Sequence, residues 1–189
     1  MRVDAYAVYR DKSTPDVRVS GVRQGDDAFV AVQSGADAEV LVLKAQATRL
    51  ANVVVAQIPD NRAGSLGQVE VGVSHVQDDG EPTRDVLRDI ASDYDDDHRR
   101  RVTQRFEAEP VSFSGTIQVA PSFQRLWGFD DVGLAVRWVD VTSGRYVKAP
   151  VREGGELMIP ASRDDLVTPV NAAIRQVVQA IRDVRESGR

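Results

Sequence analysis

Residues 29–44 read FVAVQSGADAEVLVLK, two apolar runs on either side of a polar connection. Phe29–Gln33 and Val40–Lys44 have the length and composition of strands, and Ser34–Asp37 contains the small and polar residues of a turn. Strands joined by so short a connection pair antiparallel. The stretch therefore predicts a β-hairpin and, with it, an antiparallel sheet.

Alternation of apolar and polar residues continues on both sides of this hairpin. Apolar residues occupy nearly every second position in Val3–Tyr9, in Val69–His75 and in Val111–Val119. Leu134–Val141 and Tyr146–Ala149 flank a Thr-Ser-Gly turn and predict a second hairpin. Strands of this kind bury one face, which is typical of antiparallel sheets.

Two segments have a helical pattern. A mid-chain helix begins near Thr83, which can cap it, and its apolar residues continue to Tyr94. The last helix follows Ser162, which forms a capping-box variant with Asp165. This helix carries one continuous apolar stripe, made of Val170, Ile174, Val177, Ile181 and Val184. We expect the stripe to cover the sheet; a helix seam between two chains is the alternative.

Two further segments are interpreted as strands. Val53–Ile58 is a short apolar run rich in valine. Val102–Ala108 alternates apolar and polar residues, so we expect the mid-chain helix to end near Tyr94 and a strand to begin near Arg100. The sequence thus predicts an α+β fold, a predominantly antiparallel β-sheet of about eight to ten strands with a mid-chain helix and a packed C-terminal helix. We expect one domain over residues 1–189, with a weak point of subdivision near 78–82.

The stretch DYDDDHRRR places Asp93, Asp95 and Asp97 at the spacing with which an EF-hand loop begins. The rest of that motif is missing, because His98 stands where the loop needs glycine and Gln104 where it needs a bidentate glutamate. We interpret the stretch as a charged junction between helix and strand. A weak metal site formed by the three aspartates is the alternative.

No other motif for a metal, a cofactor or a catalytic centre occurs in the sequence. The chain has no cysteine, and its two histidines, His75 and His98, do not form a zinc-binding pattern. Glycine-rich nucleotide-binding loops and the nucleophile elbow of α/β-hydrolases are also missing. We therefore expect no cofactor.

The charge and hydropathy of the chain argue against two classes of partner. Its net charge of −5 is unlike that of nucleic-acid-binding proteins, which usually carry a basic face. No signal peptide precedes the first strand, and the longest apolar run, Leu50–Ile58, is far too short to span a bilayer. The sequence predicts a cytoplasmic protein without membrane contact, with a virion as the alternative location.

An aromatic loop lies between the strands that end at Val119 and begin at Leu134. Four large apolar side chains fall within seven residues of this loop: Phe123, Leu126, Trp127 and Phe129. Such side chains either close an open end of the sheet or contact a protein partner. We name these four as the candidate partner-binding residues.

These observations favour a non-catalytic structural or assembly protein that acts through protein–protein contacts. Sheet edges, the helix stripe and the aromatic loop support binding of protein partners or self-association, and a homo-oligomeric bacterial or phage assembly component fits this description. The alternative is a small-ligand-binding domain or a hydrolase-like enzyme with its site near His75, the Trp127 loop and Asp130 or Asp131.

Overall fold

The computed structural model describes residues 1–10, 14–72, 86–121, 134–150 and 155–187, with the backbone alone for 86–96 and for Pro150. Within these ranges the strands are β1 (Arg2–Tyr9), β2 (Val17–Gln24), β3 (Asp27–Ser34), β4 (Leu41–Gln46), β5 (Val69–Val71), β6 (Phe113–Ala120), β7 (Leu134–Val141), β8 (Gly144–Pro150) and β9 (Glu156–Pro160). The α-helices are α1 (Leu50–Ala56), α2 (Val86–Ala108) and α3 (Val167–Ser187). None of these helices is long and apolar enough, over its described residues, to cross a membrane.

The nine described strands form one sheet in the order β4-β3-β2-β1-β6-β7-β8-β9-β5. Every neighbouring pair in this order is antiparallel. The predicted α+β fold, with its predominantly antiparallel sheet, its mid-chain helix and its packed C-terminal helix, is confirmed. Both predicted hairpins are present, β3 with β4 and β7 with β8. Residues 78–82, where we expected a weak point of subdivision, lie outside the described residues.

The register of the strands defines two faces of the sheet, because residues paired across an antiparallel ladder point to the same side. Val3 pairs with Val119 on the face that we call inner. Val22 pairs with Phe29 on the opposite face, which we call outer. The two faces are covered by different helices.

The inner face is covered by α1 and α3. Leu50 and Val54 of α1 and Val170 and Val177 of α3 are fully buried in its core. The apolar stripe predicted for the last helix therefore packs on the sheet, as expected, and only its end at Val184 is exposed.

The strand predicted at Val53–Ile58 is wrong, because these residues belong to α1 and the turn that follows it. The buried residues of this segment recur at the spacing of one helix face: Leu50, Ala51, Val54, Val55 and Ile58. Valine in succession favours strands only weakly, and packing against the inner face overrides that preference.

The predicted end of the mid-chain helix near Tyr94 is also wrong, as is the strand expected from Arg100. Helix α2 continues to Ala108. Val102 and Phe106 lie four residues apart, so a helix puts both on one side, where Phe106 is buried and Val102 packs beside it. The sequence suggested a strand because residues four apart fit two patterns: the two-residue repeat of a strand and the i, i+4 spacing of a helix. The DYDDDHRRR stretch is thus part of a helix and not a junction.

Helix α2 covers one end of the outer face. The cluster beneath it consists of Val69, Phe106, Val139, Val141, Tyr146 and Met158. The ring of Phe106 meets that of Tyr146 edge-on, with the centroids 5.0 Å apart. We call this part of the outer face, formed by β5 and β7–β9, the covered face.

Candidate protein-binding surface

The outer face of strands β1–β4 carries large apolar side chains that are exposed to solvent. Tyr6 is 44% exposed, Phe29 is 42% and Val42 is 62%. Val22, equally exposed, pairs with Phe29, and Val42 pairs with Ala31, so these side chains lie on adjoining strands. We call this part of the outer face the open face. Several large apolar side chains exposed on adjoining strands are typical of sites of interaction with other molecules.

A hydrogen bond and a nearby guanidinium hold the Tyr6 side chain at one end of the open face. The hydroxyl of Tyr6 donates to the Asp16 carboxylate at 2.8 Å, and the guanidinium of Arg18 lies 5.6 Å from the centre of the Tyr6 ring. The hydrogen bond to Asp16 raises the pKa of Tyr6, and burial and the negative charge of Asp16 act in the same direction. Tyr6 thus keeps its hydroxyl on Asp16 while much of its ring is exposed to solvent.

Charged side chains surround the apolar part of the open face. Arg2 pairs with Asp4 at 2.6 Å, and the Ser20 hydroxyl donates to the same carboxylate at 2.7 Å. Lys44 pairs with Asp27 at 3.2 Å. An apolar centre with a polar and charged rim is the usual composition of a protein interface.

A shallow hollow of about 500 Å³ lies on the open face. Its lining includes the side chains of Asp4, Tyr6, Arg18 and Gln33. These groups donate and accept hydrogen bonds. The hollow thus adds polar contacts to the apolar side chains of the open face.

A second hollow of about 250 Å³ lies between α2 and β5. His98 and Thr103 line it, and the Thr103 hydroxyl donates to the backbone carbonyl of Glu70 at 3.0 Å. The same hydroxyl thereby holds α2 against the edge of the sheet. The hollow mixes polar with apolar side chains and includes no second histidine.

The predicted aromatic-loop residues cannot be compared with these surfaces. Phe123, Leu126, Trp127 and Phe129 lie outside the described residues, as do His75, Asp130 and Asp131. The strands on either side of that loop are neighbours, because Val119 of β6 pairs with Leu134 of β7. A partner-binding role of the loop stays a prediction.

The three aspartates proposed as a weak metal site lie in α2. Their backbone is helical, so Asp93, Asp95 and Asp97 do not have the backbone of an EF-hand loop. Asp97 and His98 are exposed to solvent. Among the described side chains, no group of three metal-ligating residues comes together.

A buried ion pair in the β7–β8 hairpin was missed at the level of the sequence. The Arg145 Nε lies 2.7 Å from Asp140 Oδ1 and its Nη2 lies 2.8 Å from Oδ2. The same Nη2 donates to the carbonyl of Pro59 at 2.9 Å, and Arg145 has no exposed surface. Through the carbonyl of Pro59, the pair ties the hairpin to the connection after α1. Because the pair is buried, it is not available to a partner.

The open face could have been found from two signals in the sequence. In VLVL, residues 40–43, apolar side chains point to both sides of the strand, where a solvated outer face would carry polar residues. In β1, Tyr6 and Val8 fall on the outer side. The sequence could not reveal that α2 packs only on the part of the outer face formed by β5 and β7–β9.

Comparisons with known proteins place the chain in a family. The model of a family described as ESX-1_EspG, the EspG family, matches residues 1–172. Among solved structures the chain is similar to the Mycobacterium tuberculosis type VII secretion system chaperone EspG5, solved in complex with a PE25–PPE41 dimer, at 15% sequence identity and a TM-score of 0.50. That similarity covers 93% of this chain and 72% of the other, and it concerns the fold. No curated protein sequence matches this chain.

Proposed function

We propose that this chain, which belongs to the EspG family, is a non-catalytic chaperone that binds a protein partner of the PE–PPE type on its open face. It works through protein–protein contacts, as the sequence led us to expect. The observation that carries the proposal is the family match over residues 1–172. The solved structure with a similar fold is that of a chaperone bound to a PE25–PPE41 dimer, which supports this choice of partner.

The open face supports the location of the contact. Apolar side chains are exposed there although the covered face, on the same side of the same sheet, is sealed by α2. Aromatic and aliphatic side chains in the centre of an interface contribute most of the binding energy, and the surrounding charges set orientation. Phe29, with Val22 and Val42 beside it, has the properties of such a centre.

A chaperone of this kind would act by mass action. A partner that exposes apolar surface is prone to aggregate, and binding to the open face removes that surface from water on both proteins. We place this activity in the cytoplasm. The homo-oligomeric phage component that the sequence also suggested gains no support from the family, and the proposal does not include it.

Co-expression tests the proposal. The full chain is produced together with the PE25–PPE41 dimer, and in parallel with PE–PPE pairs from the genome that encodes it, with the affinity tag on the PE–PPE side. We expect at least one pair to retain the chain through size-exclusion chromatography with light scattering, at the mass of one chain per dimer. Failure of every pair to retain a correctly folded chain would contradict the proposed partner.

Two variants separate the partner from the surface. Phe29→Asp puts a charge in the centre of the open face and is expected to weaken binding by about tenfold or more, which corresponds to loss of one strong interface contact. Val184→Asp, at an exposed apolar position of α3 on the other side of the sheet, is the matched control and should bind normally. Equal binding by both variants would keep the partner and overturn the open face as its site.

A further inference from the structure

Strand β4 is a sheet edge without the usual protection. In the part of the chain that the structure describes, it pairs with β3 on one side and with no strand on the other. Val40 and Leu41, at 54% and 57% exposed, precede the still more exposed Val42, so apolar side chains lie on both faces of the edge. Edge strands are usually shielded by proline, inward charges, bulges or a covering helix, because their free N–H and C=O groups pair readily with another strand.

The opposite edge of the sheet shows such protection. Strand β5 has only three residues, Val69–Val71, and α2 packs on it. The Thr103 hydroxyl donates to the backbone carbonyl of Glu70, which occupies one of the edge's acceptors. One edge is therefore short and covered, while the other is longer, apolar and open.

The one lysine of β4 does not guard this edge. The Lys44 ammonium lies 3.2 Å from the Asp27 carboxylate and 5.8 Å from the centre of the Phe29 ring. Both partners belong to β3, so the lysine side chain is directed back over the sheet. Its charge is neutralised there and does not oppose an incoming strand.

The edge is held in place before any partner arrives. Six residues of β4 are in register with β3, and the Gln33 side-chain amide donates to the carbonyls of Ala36 and Ala38 in the connection that leads into β4. A preformed strand loses little conformational freedom when another strand binds to it.

The charge around β4 selects the occupant. Asp37 and Glu39, in the connection that leads into the strand, are exposed and form no ion pair among the described residues. A second copy pairing antiparallel about Val42, the register that keeps Leu41 and Leu43 opposite each other, would place Ala45 opposite Glu39 and Ala47 opposite Asp37, so this register leaves both acids uncompensated. A different protein that carries basic residues at this end compensates them.

We propose that β4 is a strand-addition site for an extended segment of a partner protein, with an apolar run of about four residues followed by Lys or Arg residues that lie against Asp37 and Glu39. Main-chain hydrogen bonds to the free edge provide the attachment. The apolar side chains of the segment cover Leu41 on one face and Val42 on the other. This site shares Val42 with the open face, but its attachment is through the main chain of β4 and does not depend on the partner proposed for that face.

A synthetic peptide tests the proposal, using the full chain and fluorescence anisotropy. The probe is an amide-capped peptide, Ser-Val-Ile-Val-Ile-Lys-Arg-Ser, labelled with fluorescein. We expect saturable binding that weakens by about tenfold when alternate backbone nitrogens on one edge of the peptide are methylated, since this removes the donors of the ladder. Replacing its Lys-Arg by Glu-Glu should also weaken binding several-fold, and less so in high salt.

Variants of the chain complete the test. Leu41→Lys should weaken peptide binding by about tenfold, and Glu39→Lys should weaken it several-fold. Val184→Lys, at an exposed position of α3, is the matched control and should bind the peptide normally. Amide hydrogen exchange should slow in residues 41–46 on addition of the peptide and stay unchanged in β5.

Three outcomes would overturn the proposal. The first is no binding of the basic peptide, and the second is equal binding of its N-methylated form. The third is a chain that elutes at twice its 20.7 kDa and becomes monomeric on Leu41→Lys, because the occupant of β4 would then be a second copy. The peptide comparisons use the unaltered chain, so they test strand addition at β4 even where a variant fails to fold.

Discussion

The covered face and the open face belong to the same side of one sheet, yet their side chains have opposite environments. Tyr146 on the covered face has no exposed surface, and its hydroxyl accepts a hydrogen bond from the Leu66 backbone N–H at 3.0 Å. Tyr6 on the open face is 44% exposed and donates to the surface residue Asp16. The difference arises from α2, which lies over one end of the sheet. The same pattern of residues therefore forms core under the helix and exposed apolar surface beyond it.

The largest effect is expected at the ion pair behind the covered face. Arg145→Ala leaves the buried Asp140 carboxylate without its partner and should lower the free energy of unfolding by about 4 kcal/mol. Arg18→Ala removes an exposed arginine of the open face and should change the free energy of unfolding by less than about 0.5 kcal/mol. Denaturant unfolding followed by circular dichroism measures both. Similar losses for the two arginines would contradict the burial of the Asp140–Arg145 pair behind the covered face.

Phe106, which packs on the covered face from α2, and Phe29, on the open face, provide the most direct comparison. Phe106→Ala opens a cavity in the cluster under α2 and is expected to cost about 3 kcal/mol of unfolding free energy. Phe29→Ala removes a side chain that is already solvated, so its effect on stability should stay within about 0.5 kcal/mol, although partner binding should weaken. Thermal melts and the co-expression assay on the same two variants check that Phe106→Ala lowers stability while Phe29→Ala lowers partner binding.

The two tyrosines sharpen the comparison at the level of one hydroxyl. Tyr146→Phe leaves the Leu66 N–H without an acceptor in a partly buried position and should cost about 1–2 kcal/mol. Tyr6→Phe loses one exposed hydrogen bond and should cost a few tenths of a kcal/mol, roughly as for a surface pair. If Tyr6→Phe were the more destabilising change, the open face would be structural and not free for a partner.

The smallest effect lies away from both faces, at the start of α3. The Ser162 hydroxyl and backbone N–H each donate to the Asp165 carboxylate at 2.7 Å, and these bonds hold the pKa of Asp165 below its usual range. The contribution to stability is thus present above the unfolded pKa of about 4 and is lost as the pH falls through the folded value. Asp165→Asn should lower Tm by about 1–2 °C at pH 6, and the difference from the unaltered chain should close toward pH 3. A constant difference across this range would mean that the carboxylate charge does not matter.

The sheet and the last helix were predictable because their signals are local. The alternation at Val3–Tyr9 and the two hairpins follow from residues that are close in the sequence, and the stripe from Val170 to Ile181 needs only a helical period. The proposed binding surface was predictable only as a class of function. Its candidate residues in the sequence were the aromatic loop at Trp127, whereas the surface that the described residues reveal is formed by Tyr6, Phe29 and Val42.

The sequence by itself determined that the chain forms an antiparallel sheet with a packed C-terminal helix. The tertiary structure alone decided that Val53–Ile58 is helical, that α2 extends to Phe106 and beyond, and that Asp140 meets Arg145 in the interior. It also decided which part of the outer face is left open. The physical reason is that a periodic pattern shows that a side chain is suited to burial, while the element that buries it comes from a distant part of the chain and leaves no mark on the local pattern.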